Sequence, residues 1–146
     1  MAKNKGVTLV ELLLVIIVFV IVFILLTPLV NKAKDRANMI KCSNNIRLIS
    51  LALHMYAADH NEDFPPDLKT LYPDYIRDEK VFHCPAGGLA GTAQKPDYEY
   101  IAGLNESAGS ATVILYDRDG NHKKGRNILR VNGSVGWVRS TGGMPR

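Results

Sequence analysis

Residues 7–30 read VTLVELLLVIIVFVIVFILLTPLV, and within them the only charged residue is Glu11. A run of about 20 apolar residues is long enough to cross a bilayer as a helix. A secretory signal peptide has a shorter apolar core followed by a small-residue cleavage site, which Thr27-Pro28-Leu29-Val30 does not match. Lys3 and Lys5 precede the run, so the positive-inside tendency keeps the N-terminus cytoplasmic and places the remainder across the membrane. A plain signal anchor has no use for Glu11. A carboxylate inside an apolar span is costly and is generally kept for a partner or a purpose.

The helical pattern continues past residue 30 and becomes amphipathic. Ala33, Ala37 and Ile40 follow helical spacing, with Lys32, Lys34, Asp35, Arg36 and Lys41 on other faces. Ile46, Ile49, Leu53 and Tyr56 then form an apolar stripe, which Leu48, Leu51 and Met55 are expected to widen into a broad buried face. Asp59-His60-Asn61 and Phe64-Pro65-Pro66 end the helix. Pro28 lies inside it, where the missing N–H and the clash with the preceding turn predict a bend or local melting.

Beyond the helix, apolar islands at Leu68, Leu71, Tyr75-Ile76 and Val81-Phe82 predict a short helical turn and loops. Residues 87–93 are rich in Gly and Ala and predict a flexible surface loop. Strands are expected at residues 98–101 and at 111–116 (ATVILY). Residues 127–131, then Asn132-Gly133, then residues 134–138 give the clearest hairpin signal, with a type I′ turn. The fold class is therefore α+β, a long N-terminal helical spine with a small antiparallel sheet forming a head.

The N-terminal residues carry a resemblance. Lys5-Gly6-Val7-Thr8-Leu9-Val10-Glu11, followed by the apolar run, resembles the class III signal of type IV pilins and type II secretion pseudopilins. The resemblance implies cutting after Gly6 by a membrane-embedded aspartate protease, the prepilin peptidase. It implies N-methylation of the new first residue, Val7, where the family favours Phe. Glu11 becomes fifth and Pro28 22nd in the mature chain, and Pro28 matches a helix kink common in pilins. The implied organisation is a leader at 1–6, a transmembrane and polymerisation helix at 7–30, and a head at 31–146. The implied partners are other copies in a helical filament, an inner-membrane assembly platform and a separate motor ATPase. The implied location is the bacterial inner membrane as a single-pass precursor, then a periplasmic or cell-surface filament. Cutting creates a positive amine at Val7 in apolar surroundings, and Glu11 of a neighbouring subunit is the group that would pair with it. The alternative is a membrane-anchored extracytoplasmic binding module that does not polymerise.

A second resemblance covers the head. Cys42-Ser43-Asn44-Asn45, Leu51-Ala52-Leu53-His54-Met55-Tyr56 and Val81-Phe82-His83-Cys84-Pro85 resemble pilin-like proteins of planctomycete-type bacteria. Those proteins end in His, nine residues, then Asp-Gly. Here His122 is followed after nine residues by Asn132-Gly133, so Asn stands in place of Asp.

Composition narrows the remaining chemistry. The net charge is +4, from 18 basic and 14 acidic residues, and removal of Lys3 and Lys5 brings the chain close to neutral. No basic, aromatic-interleaved patch of the nucleic-acid-binding kind occurs. Two cysteines, Cys42 and Cys84, without CxxC, speak against zinc ribbons, thioredoxin chemistry and c-type haem. They form either one disulfide in an exported domain or two separate thiols, and spacing alone does not decide. Asp117, Asp119 and Asn121 alternate like the opening of a calcium loop, and the major pseudopilins carry calcium in a comparable region. The downstream bidentate Glu of an EF-hand is absent, and Asp-Gly and Asn are also ordinary turn residues. His54, His60, His83 and His122 show no metal-binding spacing and are expected as surface or partly packed residues. Trp137 is expected in the core. No nucleophile, base and orienter assemble into an enzyme motif, and no nucleotide-binding fingerprint occurs.

Overall fold

The computed structural model describes residues 8–87 and 91–139. It shows one long helix, α1 (Leu9–Asp59), and a four-stranded antiparallel sheet of β1 (Tyr98–Tyr100), β2 (Val113–Asp117), β3 (Gly125–Arg130) and β4 (Val135–Arg139). The layout is α+β. Two compact units divide the chain, residues 1–36 and residues 37–146, and α1 contributes to both.

In the first unit every described residue is exposed. Residues 9–30 are apolar on all faces apart from Glu11 and Thr27, and the best window has a mean hydropathy of 3.5. α1 is thus long and apolar enough, near the N-terminus, to serve as a single-pass membrane anchor. α1 runs through Pro28 without a break in its helical structure. Thr27 Oγ1 donates to the Phe23 carbonyl at 2.8 Å, a side-chain bond to the preceding turn beside the proline.

In the second unit α1 buries Cys42, Ile46, Ile49, Ala52, Leu53 and Ala57, spaced as one helical face. These pack in one core with Phe64, Leu71, Phe82, Tyr98, Ile114, Leu115, Leu129 and Val131. The buried face is narrower than expected. Leu48, Leu51 and Met55, predicted to widen it, are about half exposed or more and form a second stripe together with Ile40. α1 ends in a left-handed cap. Asn61 has φ 55°, and Glu62 N–H reaches back to the Ala57 carbonyl at 2.9 Å.

The sheet is a meander, each strand pairing with the next in sequence, with an irregularity in register between Val113 and Leu115. The β3–β4 connection departs from the expected type I′ turn. Val131, Asn132 and Gly133 form a three-residue loop in which Arg130 N–H donates to the Ser134 carbonyl and Gly133 N–H to the Arg130 carbonyl. Only Gly133 has positive φ, 78°. This is a type I turn closed by a left-handed glycine. Asn132 spends its side chain on Ser134 N–H at 3.0 Å, which accounts for its conformation.

Residues 65–85 hold two short 3-10 turns, Leu68–Leu71 and Glu79–Phe82, each opened by an aspartate (Asp67, Asp78) whose carboxylate accepts a backbone N–H. Part of the stretch expected as a flexible loop is packed instead. Gly91 and Ala93 are buried, and a Cβ built on Gly91 would lie 2.3 Å from the Phe82 carbonyl oxygen and 2.8 Å from Asp97 Cγ. Gly91→Ala is therefore expected to cost about 1–3 kcal/mol through forced backbone movement, read as a lowered denaturation midpoint. An unchanged midpoint would show that the neighbouring loop yields freely.

Candidate functional site

Two places in the chain carry polar groups that packing alone does not require. The first is the start of α1. Thr8 Oγ1 accepts the Glu11 N–H at 3.3 Å, and the Thr8 carbonyl accepts the Leu12 N–H at 3.1 Å. Thr8-Leu9-Val10-Glu11 thus has the spacing of a capping box, with Glu11 in the first turn where a carboxylate is favoured by the helix dipole. That local role was legible as T-x-x-E but was masked by the more prominent apolar run. The Glu11 carboxylate has no hydrogen-bond or ion-pair partner among the described residues. Gly6 and Val7, the expected cutting and methylation positions, lie outside the described residues.

The second place is in the head. Cys42, on α1, and Cys84, just after the second 3-10 turn, are joined as a disulfide with their Cα atoms 5.2 Å apart. Both are fully buried. The disulfide is thus the state that the structure assigns to the pair. Beside it lies a buried acid–imidazole pair. His122 Nε2 is 3.3 Å from Asp117 Oδ2 and 3.5 Å from Cys84 Sγ. The His122 side chain is 6% exposed and that of Asp117 1%. Asp117 Oδ2 also accepts the backbone and side-chain N–H groups of Asn127 at 2.7 and 2.8 Å. Asp117 Oδ1 is buried with no partner. The indole of Trp137 meets the His122 ring edge-on at 5.4 Å. Trp137 itself is 37% exposed rather than in the core.

A further carboxylate, Asp97, ties the neighbouring loops together. Its Oδ2 accepts Cys84 N–H at 2.9 Å and Gly91 N–H at 3.2 Å, and it lies 2.8 Å from His83 Nδ1. The Asp97 carbonyl accepts Arg118 N–H and Asn121 Nδ2. Asn45 Nδ2 and Tyr98 Oη both donate to the His83 carbonyl, at 2.8 and 3.3 Å. Burial pushes the Tyr98 phenol well above its ordinary value, so it stays a neutral donor.

Asp117, Asp119 and Asn121, read either as calcium ligands or as ordinary turn residues, each face a different partner. Asp117 turns inward to Asn127 and His122, Asp119 pairs with Arg126, and Asn121 donates to the Asp97 carbonyl. The alternation that suggested a calcium loop serves three separate contacts. The histidines are more engaged than expected: His83 and His122 face carboxylates, and His54 Nδ1 lies 2.6 Å from Glu106 Oε1.

The motif fragments of the head come together in space. Cys42 and Asn45, His83 and Cys84, and His122 all belong to the cluster just described. His54 and the turn glycine also meet, since a Cβ on Gly133 would lie 3.4 Å from His54 Nε2. Cys42, Asn45, His83, Cys84 and His122 lie in the fragments on which the head's resemblance was read, and that resemblance gave them no roles; Asp117 stood out only as a calcium candidate, and Asp97 and Asn127 not at all. No family model, curated protein or solved structure matches the chain.

Proposed function

We propose that the chain is a structural subunit, a pilin or pseudopilin, of a type IV pilus or type II secretion filament. The observation that carries this reading is an apolar helix surface, residues 9–30, exposed on every face and interrupted by one carboxylate at Glu11. Either lipid or a bundle of like helices would cover such a surface. At roughly 25 cal/mol per Å², the apolar gain from covering it is large in both settings. Glu11 distinguishes the two, because lipid offers it no partner, whereas a neighbouring subunit cut after Gly6 offers the Val7 amine. The N-terminal signal supports the same reading, and so does an α+β head beginning on the C-terminal half of α1.

In this reading the precursor sits in the inner membrane with residues 1–6 cytoplasmic. The prepilin peptidase removes the leader, and an assembly platform driven by a separate motor ATPase moves the subunit into the filament. The role is structural, not enzymatic. The head keeps its own disulfide-linked core.

Mass spectrometry of the protein purified from its native membrane and surface fractions tests the proposal. The expected result is a chain beginning at Val7, with polymers visible by electron microscopy. A chain that keeps residues 1–6 and forms no polymer would replace the proposal with the non-polymerising anchored module.

A further inference from the structure

The side chains of Cys42, Cys84, Asp117 and His122 place one ligand atom each within 4.8 Å of all the others. They come from α1, the segment after the second 3-10 turn, the end of β2 and the β2–β3 connection, so the fold and not local sequence brings them together. The set is two sulfurs, one imidazole and one carboxylate, the ligand chemistry of tetrahedral zinc. In a tetrahedron with zinc–ligand bonds of about 2.0–2.3 Å, neighbouring ligand atoms lie about 3.3–3.8 Å apart. His122 Nε2 stands 3.3 Å from Asp117 Oδ2 and 3.5 Å from Cys84 Sγ, two such edges already formed.

Asp117 supplies an independent sign. Its Oδ1 is buried without a partner, in a chain whose other buried side-chain polar atoms among the described residues are satisfied. An orphaned carboxylate oxygen in the interior is costly. The two Asn127 donors hold the carboxylate in place, as outer-shell donors commonly hold a metal-binding carboxylate. A disulfide gives the carboxylate nothing, since its sulfurs carry no charge and no donor.

We propose that, with the Cys42–Cys84 bond reduced, the head holds one zinc-class divalent cation among Cys42 Sγ, Cys84 Sγ, a carboxylate oxygen of Asp117 and His122 Nε2. The disulfide and the metal centre are then two alternative closures of the same four-residue site. A dithiol or phosphine reductant supplies two electrons and is itself oxidised, and two protons from solvent complete the two thiols. The cation then displaces both thiol protons, leaving thiolates as ligands. The proposal is independent of whether the chain polymerises.

Cobalt(II) tests it, with the full chain in detergent micelles, reduced by a phosphine under anaerobic conditions. The expected result is the intense visible absorption of tetrahedral cobalt with a near-ultraviolet thiolate-to-cobalt band. Both should saturate at one ion per chain and be lost on adding zinc. The oxidised chain is expected to show neither band. His122→Ala and Asp117→Asn are each expected to weaken binding by about tenfold or more. A reduced wild-type chain showing only the weak spectrum of six-coordinate cobalt would overturn the proposal. So would a spectrum that survives in denaturant, or full affinity in both variants, since either places the ion on the thiols alone. The wild-type spectrum decides the matter even where a variant fails to fold.

Discussion

A chain carrying Glu11→Ala is expected to be cut after Gly6 as efficiently as the parent and to yield few or no filaments. On the proposed function, Glu11 pairs with the Val7 amine of a neighbouring subunit in surroundings made apolar by residues 9–30. Removing one partner of a buried ion pair costs about 3–5 kcal/mol, because the other charge is left uncompensated. At about 1.4 kcal/mol per tenfold, each subunit's association weakens by about two to four orders of magnitude. The measurement pairs mass spectrometry of the N-terminus with electron-microscopic counting of filaments in the sheared surface fraction. Wild-type filament yield from the alanine variant would refute the role. Glu11→Gln separates charge from size, because glutamine keeps the length and polarity of the side chain without its charge, and the bond to Thr8 Oγ1 comes from the Glu11 backbone N–H, which either variant keeps. Wild-type filaments from the glutamine variant would show that a charge at position 11 is not what pairs the subunits.

The second large effect is expected at the disulfide. Cys42 and Cys84 are 42 residues apart in sequence, and closing a loop of that size is worth about 4 kcal/mol in the chain-entropy model. Against a typical domain stability of about 5–15 kcal/mol, that is a large share. Cys42→Ala/Cys84→Ala is therefore expected to lower the denaturation midpoint of the head markedly in oxidising buffer. The single tryptophan, Trp137 on β4, is a convenient fluorescence reporter because it packs edge-on against His122 next to the disulfide. A midpoint unchanged by the double replacement would mean that the surrounding core holds α1 to the loops without the covalent link.

Much of this architecture was legible in the residues. The apolar run and the 3.6-residue period identify α1, and Asp59-His60-Asn61 marks its end to within a residue or two. The ATVILY run and the Asn132-Gly133 hairpin locate β2, β3 and β4 to within two residues. The failures have specific causes. Periodicity reports how much apolar surface a helix carries, but not how much a small sheet can cover, so Leu48, Leu51 and Met55 were placed on the wrong side of that limit. Asn132 was typed by its preference for left-handed backbone, while its side-chain bond to Ser134 N–H took precedence. Residues 117–121 could be read as a ligand series or as turn residues, because alternate oxygens fit both. The competing partners Asn127, Arg126 and Asp97 were separated from them by turns whose geometry no local pattern encodes. The cluster around Asp117 and His122 depends on four segments meeting in space, which lies beyond what spacing within any one of them can express.

The meander has a bearing on how the head is made. Because β1 pairs with β2, β2 with β3 and β3 with β4, every strand after β1 finds a neighbour already synthesised as it emerges. No strand has to be threaded between two earlier ones, and no early strand waits for a distant one. Closure by sequential neighbours keeps loop-closing entropy low and leaves few unpaired edges during growth. A chain led by an oily segment and finished head-last can thus acquire its β-structure in the order in which it is delivered.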